Sequence, residues 1–85
     1  MIEYVNFSDL FAAIDFIKEK FPYEVEYSFE NPTTSHLLSV FGDDGFIRSF
    51  QTNWIYDSDA RWTYYFDIIY FKSEVDLIEF KLRFL

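Results

Sequence analysis

From Met1 to Asn6 the chain can form a short strand, and from about Asp9 its apolar positions change to a helical period. Leu10, Ala13, Ile14, Ile17 and Phe21 fall on one stripe, with Asp15, Lys18 and Glu19 away from it. A first helix is therefore predicted over about Asp9–Lys20. Ser8 is placed to cap it, Asp9 suits the positive end of its dipole, and Pro22 ends it. The period then drops to two. In YEVEYSFE, residues 23–30, Tyr23, Val25, Tyr27 and Phe29 point one way, while Glu24, Glu26, Ser28 and Glu30 point the other. The NPTTSH that follows reads as a loop.

Two more strands are predicted over His36–Phe41 and from Phe46 to about Tyr56. Gly42-Asp43-Asp44-Gly45 joins them as a hairpin, because Asp-Gly accepts the positive φ such turns need. A turn over Asp57–Ala60 leads into RWTYYFDIIYF, read as one continuous strand. Its inner face is Trp62, Tyr64, Phe66, Ile68 and Tyr70, the expected centre of the core. The other face is Thr63, Tyr65, Asp67, Ile69 and Phe71. Ser73 with Asp76 resembles a capping box. The helix it opens has an inner stripe of Val75, Ile78, Leu82 and Leu85, widened by Leu77 and Phe84, with Lys72, Asp76, Glu79 and Arg83 opposite. The order β-α-β-β-β-β-α predicts an α+β fold: an antiparallel sheet of four to five strands, two helices on one face, the other face open.

Eighty-five residues suit a single domain with one core. Aromatic residues make up 25% of the chain, against two Gly and two Pro, a composition opposed to disorder. With no cysteine, neither disulfides nor thiolate metal sites can hold the fold. MIEYVNFSDL lacks a basic leader, and no segment approaches the roughly 18 apolar residues of a membrane span, so a soluble, cytoplasmic protein is expected.

Charge narrows the function further. The net charge is −8 and the pI about 4.3. Phosphate backbones repel such a surface, which argues against direct nucleic-acid binding. The imbalance is concentrated: residues 1–45 carry nine carboxylates against Lys18 and Lys20, and no Lys or Arg lies between Phe21 and Gly45. Glu24 and Glu26 should stand about 6.8 Å apart along their strand, comparable with successive phosphates of a nucleic acid. Two readings follow: a backbone mimic aimed at a basic protein, or a solvated sheet face. On the first, Glu24, Glu26, Glu30, Asp43, Asp44 and Asp67, with Tyr65 and Ile69 on the same open face, form the partner-binding surface. An outer aromatic face that paired with itself would instead make the chain a self-assembling structural or assembly accessory protein, in its simplest form a homodimer, and a small RNA-binding regulator would require Arg48, Arg61, Lys72, Lys81 and Arg83 to cluster.

Asp43-Asp44 and Asp57-x-Asp59 lack the glycine-marked loop of a calcium site and read as turn chemistry. No metal or cofactor is expected. His36, the single histidine, has no adjacent nucleophile–base arrangement, so catalysis is not expected either. Trp54, Tyr56 and Trp62 flank the Asp57–Ala60 turn, where they either stack on a sugar or base or close a hairpin.

The C-terminal YFDIIYFKSEVDLIEFKLRFL, a strand passing through F-K-S-E into a helix ending FKLRF, resembles the tail of small accessory proteins of tailed bacteriophages. The resemblance covers about a quarter of the chain. It implies a host-takeover or anti-defence factor, acting in the cytoplasm of an infected bacterium, that binds and blocks one host or defence protein with a basic surface.

Overall fold

Asp9, rather than Ser8, caps the first helix: its carboxylate accepts from Ala12 N at 2.8 Å. The computed structural model that shows this describes residues 1–27 and 31–85, the side chains of 31–33 excepted. In chain order the elements are β1 (Ile2–Asn6), α1 (Leu10–Lys20), β2 (Tyr23–Glu26), α2 (Asn31–Phe41), β3 (Phe46–Phe50), β4 (Asn53–Asp57), β5 (Trp62–Tyr65), β6 (Ile68–Phe71) and α3 (Glu74–Phe84). The class is α+β, as the periodicity predicts. The expected single sheet is instead two antiparallel three-stranded sheets, ordered β1-β4-β3 and β2-β6-β5.

Three local corrections produce this difference. The predicted loop and strand before Gly42 are one helix. Leu37 and Phe41 are buried and Val40 is half-buried, at i, i+3 and i+4 spacing, and Pro32 lies in the first turn, where its missing N–H costs little. A short apolar run such as HLLSVF fits either period. Gly42 and Gly45 accordingly do not make a hairpin. Gly42, at φ +87°, closes α2 by donating to Leu38 O at 3.2 Å. Gly45 is a close approach, since a Cβ there would lie 2.6 Å from Ala60 Cβ and 2.8 Å from Phe21 Cζ.

The other two corrections are hairpins folded out of predicted single strands. The first turns at Gln51 (φ +51°) and Thr52, the second at Phe66 (φ +53°) and Asp67. Neither turn has glycine or asparagine in its left-handed position, so the usual signal is missing. The second hairpin has a large effect on side-chain direction. In a straight strand Tyr65 and Ile69 share a face, but the turn pairs Tyr65 with Ile68 and sends Ile69 to the opposite face. Ile69 is fully buried and Phe66 exposed, the reverse of their expected places.

Among the described residues two hydrophobic clusters result, where one core was expected. Ala13, Ile17 and Phe21 pack with Phe46, Trp54, Tyr56 and Tyr70. Leu37 and Phe41 pack with Trp62, Ile69, Phe71 and Phe80. The second sheet is their shared wall, with Tyr70 facing one cluster and its neighbours Ile69 and Phe71 facing the other. The helices therefore do not lie on one face of one sheet: α1 belongs to the first cluster, α2 and α3 to the second. Trp54, Tyr56 and Trp62 are all buried. Trp54 stacks on Phe46 at 4.6 Å and Trp62 Nε1 donates to Gly42 O at 2.8 Å, which leaves no platform for a sugar or base.

Ser73 does cap α3, its hydroxyl accepting from Asp76 N at 3.2 Å. The buried face of that helix is Asp76 and Phe80, flanked by half-buried Leu77 and Phe84. Asp76 is held by Arg61, whose Nε and Nη2 reach its two carboxylate oxygens at 3.0 and 2.6 Å. The predicted inner stripe, Val75, Ile78, Leu82 and Leu85, faces solvent.

Candidate functional site

β2 is an edge strand of the second sheet, and its register on β6 decides what its glutamates stand beside. Glu24 pairs with Tyr70 and Glu26 with Ile68. Thr63 and Tyr65 of β5 complete the rows, giving Glu24–Tyr70–Thr63 and Glu26–Ile68–Tyr65 on one face. Glu24 and Glu26 are exposed, with no strand beyond β2 among the described residues, whereas Tyr70 and Thr63 lie beneath the first cluster. Burial pushes the Tyr70 hydroxyl above its ordinary pKa, and the Glu24 charge adds to the shift.

The β5–β6 turn adds the third carboxylate. Tyr27 N donates to Asp67 O at 2.8 Å, tying the end of β2 to that turn. Asp67 is exposed beside it, and Phe66 next to it is 66% exposed. The Phe66 ring lies 4.5 Å from the half-buried Tyr65, which in turn meets Trp54 edge-on at 5.9 Å. The structure thus brings together Glu24, Glu26, Asp67 and Tyr65. Sequence reasoning missed Phe66, which stands exposed beside Asp67 on the same turn, against Tyr65. The one available signal was Asp67 itself, a charged residue interrupting an apolar run.

The remaining expected members fall elsewhere. Asp43 and Asp44 lie beyond the opposite edge of the second sheet, where Asp44 bridges Trp62 of β5, about 14 Å from β2 by three inter-strand spacings. Asp43 is exposed. Asp44 is half-buried and structural: its Oδ1 accepts from Thr63 Oγ1 at 2.6 Å and from Phe46 N at 3.1 Å, joining the two sheets. Burial pushes its carboxyl up to about 6 against the opposing effect of those two hydrogen bonds. Ile69 is in the second cluster, not on a surface. Glu30 lies outside the described residues.

Chemically the edge offers exposed carboxylate acceptors beside an exposed ring, a combination suited to Lys and Arg side chains. Asp57 and Asp59 make a turn, as expected, with Asp59 N donating to Asp57 Oδ1 at 3.0 Å. Among the described residues no group of three or more His, Cys, Asp or Glu side chains is placed to hold a metal ion. His36 is on α2, not at the start of a strand. It stacks on Phe84 at 5.7 Å and lines a cleft of about 320 Å³ with Ser39, Val40 and Arg83. None of those lining residues is a carboxylate able to orient the imidazole as a base.

The chain matches no protein-family model, no curated protein and no solved structure. Among the described residues no helix is long and apolar enough to cross a membrane.

Proposed function

We propose that the protein is a non-enzymatic inhibitor that uses the open edge of its second sheet to occupy the basic surface of a nucleic-acid-handling protein. The observation that carries this reading is the exposed pair Glu24 and Glu26 on the β2 edge, the end of which Tyr27 N ties to the turn that carries exposed Phe66 and Asp67. Among the described residues, no ion pair engages any of the three carboxylates. Unpaired charges at an edge are free for a partner, and an aromatic ring on the adjoining turn supplies the anchor that interfaces concentrate their energy in. A net charge of −8 steers the encounter with a basic surface. The phage-like C-terminal stretch suggests a bacterial host or defence protein, such as a nuclease, as the target.

An RNA-binding role is not favoured, because four of the five cations it would need, all but Lys81, are engaged within the chain. Arg61 is clamped on Asp76 and Arg83 faces Glu79 at 3.8 Å. Lys72 donates to Ser58 O and lies over the Phe21 and Tyr56 rings. Arg48 donates to Gln51 O at 2.6 Å and lies over Trp54.

The test is capture from bacterial lysate by the wild type and by a Glu24→Gln/Glu26→Gln/Asp67→Asn variant, with quantitative mass spectrometry. The wild type should retain a basic nucleic-acid-handling protein that added DNA and salt displace and the variant loses. Retention of the same proteins by both would reduce the carboxylates to a solubilising face.

A further inference from the structure

The two glutamates of β2 offer backbone as well as side chain. An antiparallel strand turns the N–H and C=O of successive residues to opposite sides. Tyr27 N donates to Asp67 O at 2.8 Å, which makes these two a hydrogen-bonded pair, in register with Val25–Ile69 and Tyr23–Phe71. On the far side of β6, Lys72 N donates to Arg61 O at 3.0 Å. That bond turns Lys72, and by alternation Tyr70 and Ile68, toward β5, and leaves Phe71 and Ile69 for β2. The two observations agree. Tyr23, Val25 and Tyr27 direct their backbone groups to β6, whereas Glu24 and Glu26 direct theirs away from the sheet. Among the described residues no strand lies beyond β2 to meet them.

Such an edge is a template for another strand, and its charges select which. A second copy does not fit. Antiparallel hydrogen bonds between the outward groups of two copies would join Glu24 or Glu26 of one to Glu24 or Glu26 of the other, and residues so paired stand directly opposite, carboxylate against carboxylate. A Lys or Arg in those places is attracted instead. Between the glutamates, Val25 is half-buried on the other face beside exposed Tyr23, so an apolar residue suits the position between two cations.

We propose that an extended segment of the basic partner, with Lys or Arg at alternate positions and apolar residues between, adds to β2 as an antiparallel fourth strand of the second sheet. This rests on the carboxylate reading above and specifies how the partner is held. The main-chain groups of Glu24 and Glu26 hold the segment, and their carboxylates choose its side chains.

NMR titration of the full chain with the end-blocked peptide Ac-Val-Lys-Val-Lys-Val-NH2 tests this. In the free protein the Glu24 and Glu26 amides should exchange fast with solvent and the Val25 amide slowly. At saturation the peptide should slow exchange at Glu24 and Glu26 at least tenfold. Antiparallel pairing points each peptide Lys N–H at β2 and the central Val N–H away from it. N-methylation of both Lys residues at the backbone, which keeps their charge, should therefore weaken binding at least tenfold, and N-methylation of the central Val less than threefold. Equal binding by the Lys-methylated peptide, or no binding by any of them, would overturn strand addition, while carboxylate-dependent capture from lysate would stand on its own result. The reverse preference between the two methylated peptides would mean parallel pairing and contradict the antiparallel arrangement. Undiminished peptide binding by a Glu24→Gln/Glu26→Gln variant would instead sink the carboxylate reading, and with it the choice of a basic segment.

Discussion

Two cross-strand rows in this protein are almost the same in chemistry and opposite in fate. In the first sheet Tyr4, Ile55 and Ile47 stand side by side across β1, β4 and β3. In the second, Tyr64, Ile69 and Val25 stand side by side across β5, β6 and β2. Tyr4 is 78% exposed and Ile47 50%, while Ile69 is fully buried. The difference lies in what covers each sheet. α1 closes one face of the first sheet and nothing in the described chain closes the other, whereas the second sheet has the first cluster on one side and α2 and α3 on the other. Burial here follows topology, not the hydrophobicity of a row. That is why three consecutive residues, Ile69, Tyr70 and Phe71, can all be buried.

The sharpest way to break this comparison is to truncate the central isoleucine of one row and an isoleucine of the other. Ile69→Ala should cost about 2–5 kcal/mol, because a fully buried side chain leaves a cavity the two packed helices cannot close. Ile47→Ala should cost less than about 1 kcal/mol. Denaturant unfolding curves measure both. Equal losses would mean that the first sheet's outer face is covered in solution.

Asp44 sharpens the comparison at the joint between the sheets. The folded protein holds the Asp44 proton up to about pH 6, while the unfolded chain releases it near 3.8. Raising the pH through that window therefore favours unfolding, and the loss is complete above the folded value. Two pH units correspond to about 3 kcal/mol. Asp44→Asn keeps an oxygen for Thr63 and Phe46 and has no charge to bury. Its stability relative to wild type should be flat below about pH 4, rise through pH 6 and level off about 3 kcal/mol higher. Unfolding curves between pH 3 and 8 would show this, and a pH-independent difference would remove Asp44 as a buried acid.

The elements most legible in the sequence are those with an end signal or an uninterrupted period. The α1 stripe stops at Pro22, and Asp57–Ala60 turns through its own carboxylate. Ser73 caps α3. What was not legible has a common physical cause. Gln51 and Phe66 turn two hairpins in left-handed conformations without glycine, so each hairpin reads as one long strand, and the side-chain directions of β6 are inverted relative to those of β5. The same inversion placed Ile69 in the candidate site and hid Phe66 from it. On α3, both faces are apolar. Periodicity detects such stripes but cannot say which one the sheet takes. Glu24 and Glu26 were found because an edge strand with one solvated face alternates cleanly.

Phe66 is where fold and proposed function meet, since a left-handed non-glycine residue costs about 1–3 kcal/mol and persists where surrounding structure or function requires it. Phe66→Gly relieves that strain and gives up unfolded-chain entropy, a small net gain of about 0.5 kcal/mol. The most direct measurement is the affinity of Phe66→Gly for the partner captured by the wild type, made beside its unfolding curve. The account predicts a protein at least as stable as wild type that binds at least tenfold more weakly. Undiminished binding by the glycine variant would contradict it, because the hairpin tip would then not be the anchor of the acidic edge.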